Sequence, residues 1–195
     1  MALTKVSPEI LDLNNTAGTS NLRLGVNAGN SIVSGGNYNV VVGDEAGTAI
    51  TTGDSNTAIG KSSFVANTTG SSNTAIGNGA LYANTTSSNN VAVGRDALLA
   101  NTTGTAGTAV GKGSLASNTT GTDNTGLGAL ALNATTTGAL NVAVGRSALQ
   151  SNTTGANNTA VGYNSLIANT TGTGNTAVGR GAGDAITTAT NSVAV

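Results

Sequence analysis

The sequence predicts an all-β fold: a β-solenoid, or parallel β-roll, of about ten 17-residue coils, interlocked as a parallel homotrimer. Three observations carry this prediction: a strict repeat, an alternation of aliphatic and small residues within it, and a scarcity of large side chains. A glycine that closes an AVG-like motif recurs every 17 residues without an insertion. These glycines are Gly43, Gly60, Gly77, Gly94, Gly111, Gly128, Gly145, Gly162 and Gly179.

Composition excludes a conventional globular core. Charged residues make up 8% of the 195 residues and aromatic residues 2%, while 29 residues are glycine. So few large side chains cannot fill an ordinary core. Disordered chains usually combine low hydrophobicity with high net charge, and the net charge here is only −1. A regular stack of coils therefore remains as the way to order this chain.

The chain divides into an N-terminal segment, residues 1–24, and a repeat domain, residues 25–195. The segment contains VSPEILDLNN, in which apolar residues surround two acids. One interpretation is a cap on the lowest coil, which solenoids need. The other is attachment to a larger body through Ile10, Leu11 and Leu13.

Each coil begins with a short strand that ends at the repeat glycine, which we number position 0. Position −1 is always aliphatic and mostly β-branched, which predicts a buried strand position. Position −2 is almost always Ala, and neighbouring strand residues point to opposite faces. We therefore expect the alanine face to lie against another chain. The −1 residues of this predicted core are Ile59, Ile76, Val93, Val110, Leu127, Val144, Val161 and Val178.

The corner after the strand supplies the rest of the predicted core at position +4. Where +4 is Gly, as at Gly47, an Ile appears at +7, as at Ile50. The two positions are therefore expected to share one interior volume. The large +4 residues are Phe64, Leu81, Leu98, Leu115, Leu132, Leu149 and Leu166.

Each coil then continues through a polar NTTG turn into a second short extended piece. Asn and Gly are typical turn residues. Asn and Thr side chains that stack at about 4.8 Å can also form hydrogen-bonded ladders with their copies in adjacent coils. At one strand spacing per coil, the stack is expected to be about 48 Å tall.

The repeat motifs resemble two groups of proteins. NSVAV at 191–195, NNVAVG at 89–94 and the NTAVG copies resemble the head repeats of trimeric autotransporter adhesins, a left-handed parallel β-roll of three interlocked chains. The longer unit NTAVGxxALxxNTTGxx is more similar to repeats of bacteriophage tail fibres and virion spikes. The resemblance covers about residues 25–195 and bears on architecture more than on a target.

The resemblance implies a non-enzymatic structural protein: a trimeric fibre or spike on the tail or capsid of a phage virion, involved in host-surface attachment. It also implies assembly in the host cytoplasm and contact with other virion proteins through the N-terminal segment. The alternative is the head, or passenger region, of a bacterial trimeric surface adhesin. An adhesin of that kind needs an export signal and a membrane barrel, and the sequence shows neither, so the virion interpretation is preferred.

Two residue types that often carry catalysis or bind metals are missing from the sequence. The chain has no His and no Cys, and its eight carboxylates fall at unrelated repeat positions. We therefore expect no enzyme activity, no cofactor and no metal site. The near-neutral charge argues against nucleic acid, and no stretch approaches the roughly 20 apolar residues of a membrane helix.

Position +1 collects most of the basic residues and one tyrosine. Stacked copies can meet acidic glycans or lipopolysaccharide phosphate on a host surface. The alternative is that an exposed corner carries charge only for solubility. The candidate surface-contact residues are Lys61, Arg95, Lys112, Arg146, Tyr163 and Arg180.

A lower alternative is a Thr-rich ice-binding solenoid. Such a protein needs outward Thr at i and i+2 on a flat strand. Here the Thr pairs at +8 and +9 are adjacent, so their side chains diverge. The Thr residues at −3 are interrupted by Val40, Val91, Val142 and Val193.

Overall fold

The computed structural model describes residues 20–195 and the short strand Leu11–Asp12, and it confirms the predicted all-β parallel solenoid. The described residues contain no helix and form one 12-stranded sheet in chain order. The strands are β1 (Leu11–Asp12), β2 (Leu22–Leu24), β3 (Val40–Val42), β4 (Thr57–Ile59), β5 (Thr74–Ile76), β6 (Val91–Val93), β7 (Thr108–Val110), β8 (Thr125–Leu127), β9 (Val142–Val144), β10 (Thr159–Val161), β11 (Thr176–Val178) and β12 (Val193–Ala194).

From β3 upward, each strand pairs in parallel with its copy 17 residues later, so that Ile59 lies beside Ile76. The first step is one residue longer, since Leu22 pairs with Val40. The parallel ladder therefore begins three residues before the predicted domain boundary at 25. Strand β1 runs antiparallel along β2, with Leu11 beside Leu24. Of the predicted attachment residues, Ile10 and Leu13 lie outside the described residues, and the side chain of Leu11 is not described.

Each described coil has one strand and not two. The segment after NTTG was predicted to be extended, but it forms no strand between residues 20 and 195. Hydrogen bonds to adjacent coils hold this segment instead: the Ser55 N–H donates to the Asn37 carbonyl at 2.9 Å. In the turn before it, the Thr51 N–H donates to the Thr68 carbonyl of the next coil at 2.9 Å. The Thr51 hydroxyl donates to the same carbonyl at 3.0 Å. The +8 threonines thus fix one coil to the next.

The corners depend on left-handed backbone conformations. Leu81 and Leu98, both at position +4, have a φ of 50°. A left-handed conformation costs a leucine about 1 to 2 kcal/mol, and the full burial of the side chain offsets that cost. Gly94, at position 0, has a φ of 134°, and a Cβ atom there would lie 2.7 Å from the carbonyl carbon of Gly111. Position 0 is therefore restricted to glycine by both conformation and space.

The interior confirms one half of the predicted core and corrects the other. The +4 side chains, Phe64 and the six leucines, are 0% exposed. The −1 side chains point out of the coil, and those of Ile59, Ile76, Val110, Leu127 and Val178 are 36% to 45% exposed. The prediction that −1 is buried inside the coil is therefore wrong for these five residues. Val93, Val144 and Val161 are half-buried on the same outer face.

The alanine face at −2, and not the aliphatic face, lines the interior. Ala58 and the alanines at −2 up to Ala177 are 0% exposed. They lie against the +4 column of the same chain: a Cβ atom on Gly47 would be 3.2 Å from Cγ1 of Val41, and one on Gly126 would be 3.5 Å from Cγ of Leu115. The expectation that this face meets another chain is therefore wrong. Position −2 is small because the large +4 side chain fills the thin interior.

Two ladders of buried asparagines run beside this apolar interior. At position −4, the Asn73 amide donates to Oδ1 of Asn56 at 3.1 Å and to the Ser87 carbonyl at 2.9 Å. At position +7, the Asn84 amide donates to Oδ1 of Asn67 at 3.0 Å. Buried amides are costly unless they are hydrogen-bonded, so these ladders both permit and require identical residues in adjacent coils.

Candidate functional site

The +1 residues form one column along the rod. The N–H at position +2 donates to the carbonyl at +1 one coil below: Asn164 N–H bonds to Arg146 at 3.1 Å, and Gly181 N–H bonds to Tyr163 at 2.9 Å. The column is therefore in register at one strand spacing per step. All six predicted surface-contact side chains are exposed. Charged residues that serve only solubility would be exposed as well, so exposure alone does not indicate a binding surface. The distances between these side chains are more informative.

The upper part of the column brings three of the six residues together. The Cζ of Arg146 lies 5.9 Å from the centroid of the Tyr163 ring, and the Cζ of Arg180 lies 5.8 Å from it. Both distances are within the range of cation–π attraction. We call Arg146, Tyr163 and Arg180 the upper cluster.

A surface groove adjoins the upper cluster. Its volume is about 320 Å³, and Tyr163, Asn164, Ile167, Arg180, Gly181 and Asp184 line it. The groove combines an aromatic ring, an aliphatic side chain, an amide, a guanidinium and a carboxylate. This lining is more polar than that of a typical small-ligand pocket, which is mostly apolar with a few polar groups.

The lower part of the column is more dispersed. Asn78 separates Lys61 from Arg95, and Ala129 separates Lys112 from the upper cluster. Arg95 forms an ion pair with its neighbour Asp96, with Nε 3.1 Å from Oδ2. Both side chains are solvent-accessible, so the pair adds little stability but neutralises the charge that Arg95 presents. The lower residues therefore form no comparable cluster.

The −1 side chains form a second candidate surface, which the sequence reasoning placed in the interior. We call it the aliphatic strip. Its members are in register, so each contacts the copies above and below it in the sheet. The strip consists of Val42, Ile59, Ile76, Val93, Val110, Leu127, Val144, Val161 and Val178.

Two other kinds of site were sought among the described residues. These residues contain no group of three or more Asp or Glu side chains placed to hold a metal ion. Within residues 11–12 and 20–195, no helix has the length and apolar character needed to cross a membrane. Tyr38 and Tyr82 are exposed but lie outside the +1 column.

Comparisons with protein-family models, with curated proteins and with solved structures find no match for this chain.

Proposed function

We propose that the protein is a non-enzymatic structural component of a phage virion: a trimeric fibre or spike, on tail or capsid, that contacts the host surface. The observation that carries the proposal is the aliphatic strip, which runs the length of a rod built from fibre-like repeats. A rod with one apolar side is suited to association along its axis. The longer repeat unit favours the virion over the bacterial adhesin head, which is the second candidate.

The strip supports the trimer through a different face from the one predicted. Soluble monomers rarely expose a contiguous apolar patch larger than a few hundred Å². Here the strip extends over nine coils, with side chains such as Ile76 and Val110 more than a third exposed. Three parallel copies can pack their strips around a common axis and remove them from water. The alanine face is already buried within each chain and is not needed for this contact.

In this arrangement the +1 column remains available for a target. It follows the repeat glycine by one residue, whereas the strip precedes that glycine by one residue, so the two surfaces meet at the corner of each coil. We assign self-association to the strip and contact with a host glycan to the +1 column. Other virion proteins are assigned to the N-terminal segment.

Ice binding remains a separate candidate because of one feature of the strands. Position −2 points inward, so positions −3 and −1 both face outward and form two columns, for example Thr57 and Ile59 in β4. The side chains at −3 and −1 therefore share one face of the strand, whereas those of the adjacent Thr pairs at +8 and +9 diverge. Val91 and Val142 still interrupt the Thr column. A clear thermal hysteresis at micromolar protein would favour this candidate over the fibre.

Antibody labelling tests the proposed location. Gold-labelled antibody against residues 25–195 is expected to decorate projections on phage particles produced by the source cells. Labelling of intact cells without particles would support the bacterial adhesin instead. Labelling of neither, with the protein present in the soluble fraction, would contradict both surface roles.

A further inference from the structure

We infer that the upper cluster and its groove form a binding site for an acidic saccharide, a sugar that carries a carboxylate, phosphate or sulfate group. This inference rests on the proposed host-surface role and specifies its ligand. It assigns recognition to one place on the rod, whereas the sequence pointed to the whole +1 column.

The first argument is the charge at the upper cluster. Arg146 and Arg180 lie on the same tyrosine ring, at 5.9 and 5.8 Å. The residues that follow them, Ser147 and Gly181, carry no carboxylate, whereas Arg95 is followed by Asp96 and bonds to it. The two positive charges thus lie on either side of Tyr163 along the column, one coil below it and one coil above it, and neither has the adjacent acid that accompanies Arg95. An anion bound at this part of the column is attracted by both charges.

The second argument is the geometry that the ring imposes. A guanidinium held over an aromatic ring by cation–π attraction keeps N–H donors free for other partners. Those donors match the oxygens of a carboxylate or phosphate, which they can bind in pairs. Tyr163 therefore orders the two arginines for anion binding and adds a phenol that can donate a further hydrogen bond.

The third argument is the rest of the groove, which suits a sugar better than a bare anion. Ile167 provides an apolar contact for the C–H face of a sugar ring, and Asn164 provides amide donors and acceptors. Asp184 also lines the groove. Its carboxylate would repel a simple anion placed beside it but would accept hydrogen bonds from sugar hydroxyls. Arg180 lines the groove, whereas Arg146 lies outside its lining. The groove therefore favours a ligand with its charge toward Arg180 and its hydroxyls toward Asp184.

The test measures binding by calorimetry with four probes: a galacturonic acid oligosaccharide, glucose 6-phosphate, glucose and inorganic phosphate. The full chain is expected to bind at least one acidic sugar, and to bind glucose and inorganic phosphate at least about tenfold more weakly. Equal affinity for inorganic phosphate and glucose 6-phosphate, with no binding of the oligosaccharide, would identify a simple anion site and overturn the inference. Absence of binding to every acidic probe at millimolar concentration would also overturn it.

Variants locate the site. Arg146→Gln/Arg180→Gln is expected to weaken acidic-sugar binding by about tenfold or more. The matched control is Lys61→Gln/Lys112→Gln, which also removes two positive charges from the +1 column. It is expected to change the affinity less than about twofold. Tyr163→Leu, which keeps both arginines, is expected to fall between them. Equal weakening by both double variants would show a general charge effect and contradict the site.

All these positions are exposed, so thermal melting should show that the variants keep the fold. Failure of this inference is distinguishable from failure of the proposed function. Antibody labelling of virions with no acidic-sugar binding would leave the fibre and remove this site. Specific binding without virion labelling would leave the site and remove the location.

Discussion

Ile50 occupies the space that a side chain at Gly47 would need: a Cβ atom on Gly47 would lie 2.8 Å from Cδ1 of Ile50, which is 0% exposed. The same relationship holds between Gly29 and Ile32, where the distance is 2.9 Å. In most other coils a leucine at +4 fills this space and an asparagine stands at +7. The interior of each coil thus has a fixed volume that either position can supply.

This exchange predicts strong coupling between positions 47 and 50. Gly47→Leu alone is expected to destabilise because the new side chain meets Ile50, by about 1 to 3 kcal/mol. Ile50→Asn alone leaves a cavity and is expected to cost about 2 to 5 kcal/mol. The double variant introduces the Leu and Asn pair of the other coils, although Val41 still stands where they have a smaller residue. It should therefore recover part of the loss, at least about 1 kcal/mol relative to the sum of the two single effects. Urea denaturation of the four proteins measures this coupling, and strict additivity would contradict a shared volume.

A break in the +7 asparagine ladder predicts a stabilising substitution. Oδ1 of Asn118 is buried without a hydrogen-bond partner, because Thr135 stands where an asparagine would donate to it. Asn101, one coil lower, receives that bond from Asn118 at 2.9 Å. Thr135→Asn is expected to raise the free energy of unfolding by about 1 kcal/mol, since it satisfies a buried acceptor at nearly constant volume.

The control for this substitution is Thr137→Asn, at the exposed position +9 of the same coil. It should change the free energy of unfolding by less than about 0.5 kcal/mol. If Thr135→Asn destabilises the protein while Thr137→Asn is neutral, the ladder does not account for the buried amides.

The constraints at position 0 predict that an alanine substitution costs more stability at Gly94 than at Gly113. Gly94→Ala combines a φ of 134° with a Cβ atom 2.7 Å from backbone, and is expected to cost more than about 3 kcal/mol. Gly113→Ala is the comparison, because its φ is 65° and the nearest atom, 3.1 Å away, is the end of the Leu130 side chain. It is expected to cost about 1 to 2 kcal/mol. Melting temperatures compare the two, and equal losses would contradict this account of the repeat glycine.

The aliphatic strip predicts that self-association can be removed without unfolding the coil. Ile76→Asp/Val110→Asp places two charges on the outer face and is expected to reduce the mass in solution from three chains to one. The matched control, Thr86→Asp/Thr120→Asp, adds the same charges to the exposed +9 position of the same two coils. It should leave the mass unchanged. Dissociation of both variants would indicate a general charge effect.

The sequence predicted the period, the parallel register and the burial of the +4 residues, because a strict repeat stacks each residue on its copy. It did not predict which strand face is inside, since alternation along a strand defines two faces without ranking them. One signal was present: Val41 is the large residue at −2, and its coil has Gly47 at +4. Compensation between −2 and +4 indicates that both face the same interior.

The sequence predicted only part of the candidate site. The repeat placed Arg146, Tyr163 and Arg180 in one column, but the approach of both guanidiniums to one ring depends on side-chain conformations that a period does not specify. The contribution of Asp184 was also missed, because Asp184 lies outside the +1 column, four residues after Arg180, and reaches the groove through the local turn.

The measurement that tests the central claim most directly is the mass of the purified chain in solution, by light scattering coupled to size-exclusion chromatography. The account predicts an elongated particle with three times the chain mass of 18.6 kDa. A stable particle of 18.6 kDa would show that the aliphatic strip faces water in the native protein, and would contradict the trimeric fibre.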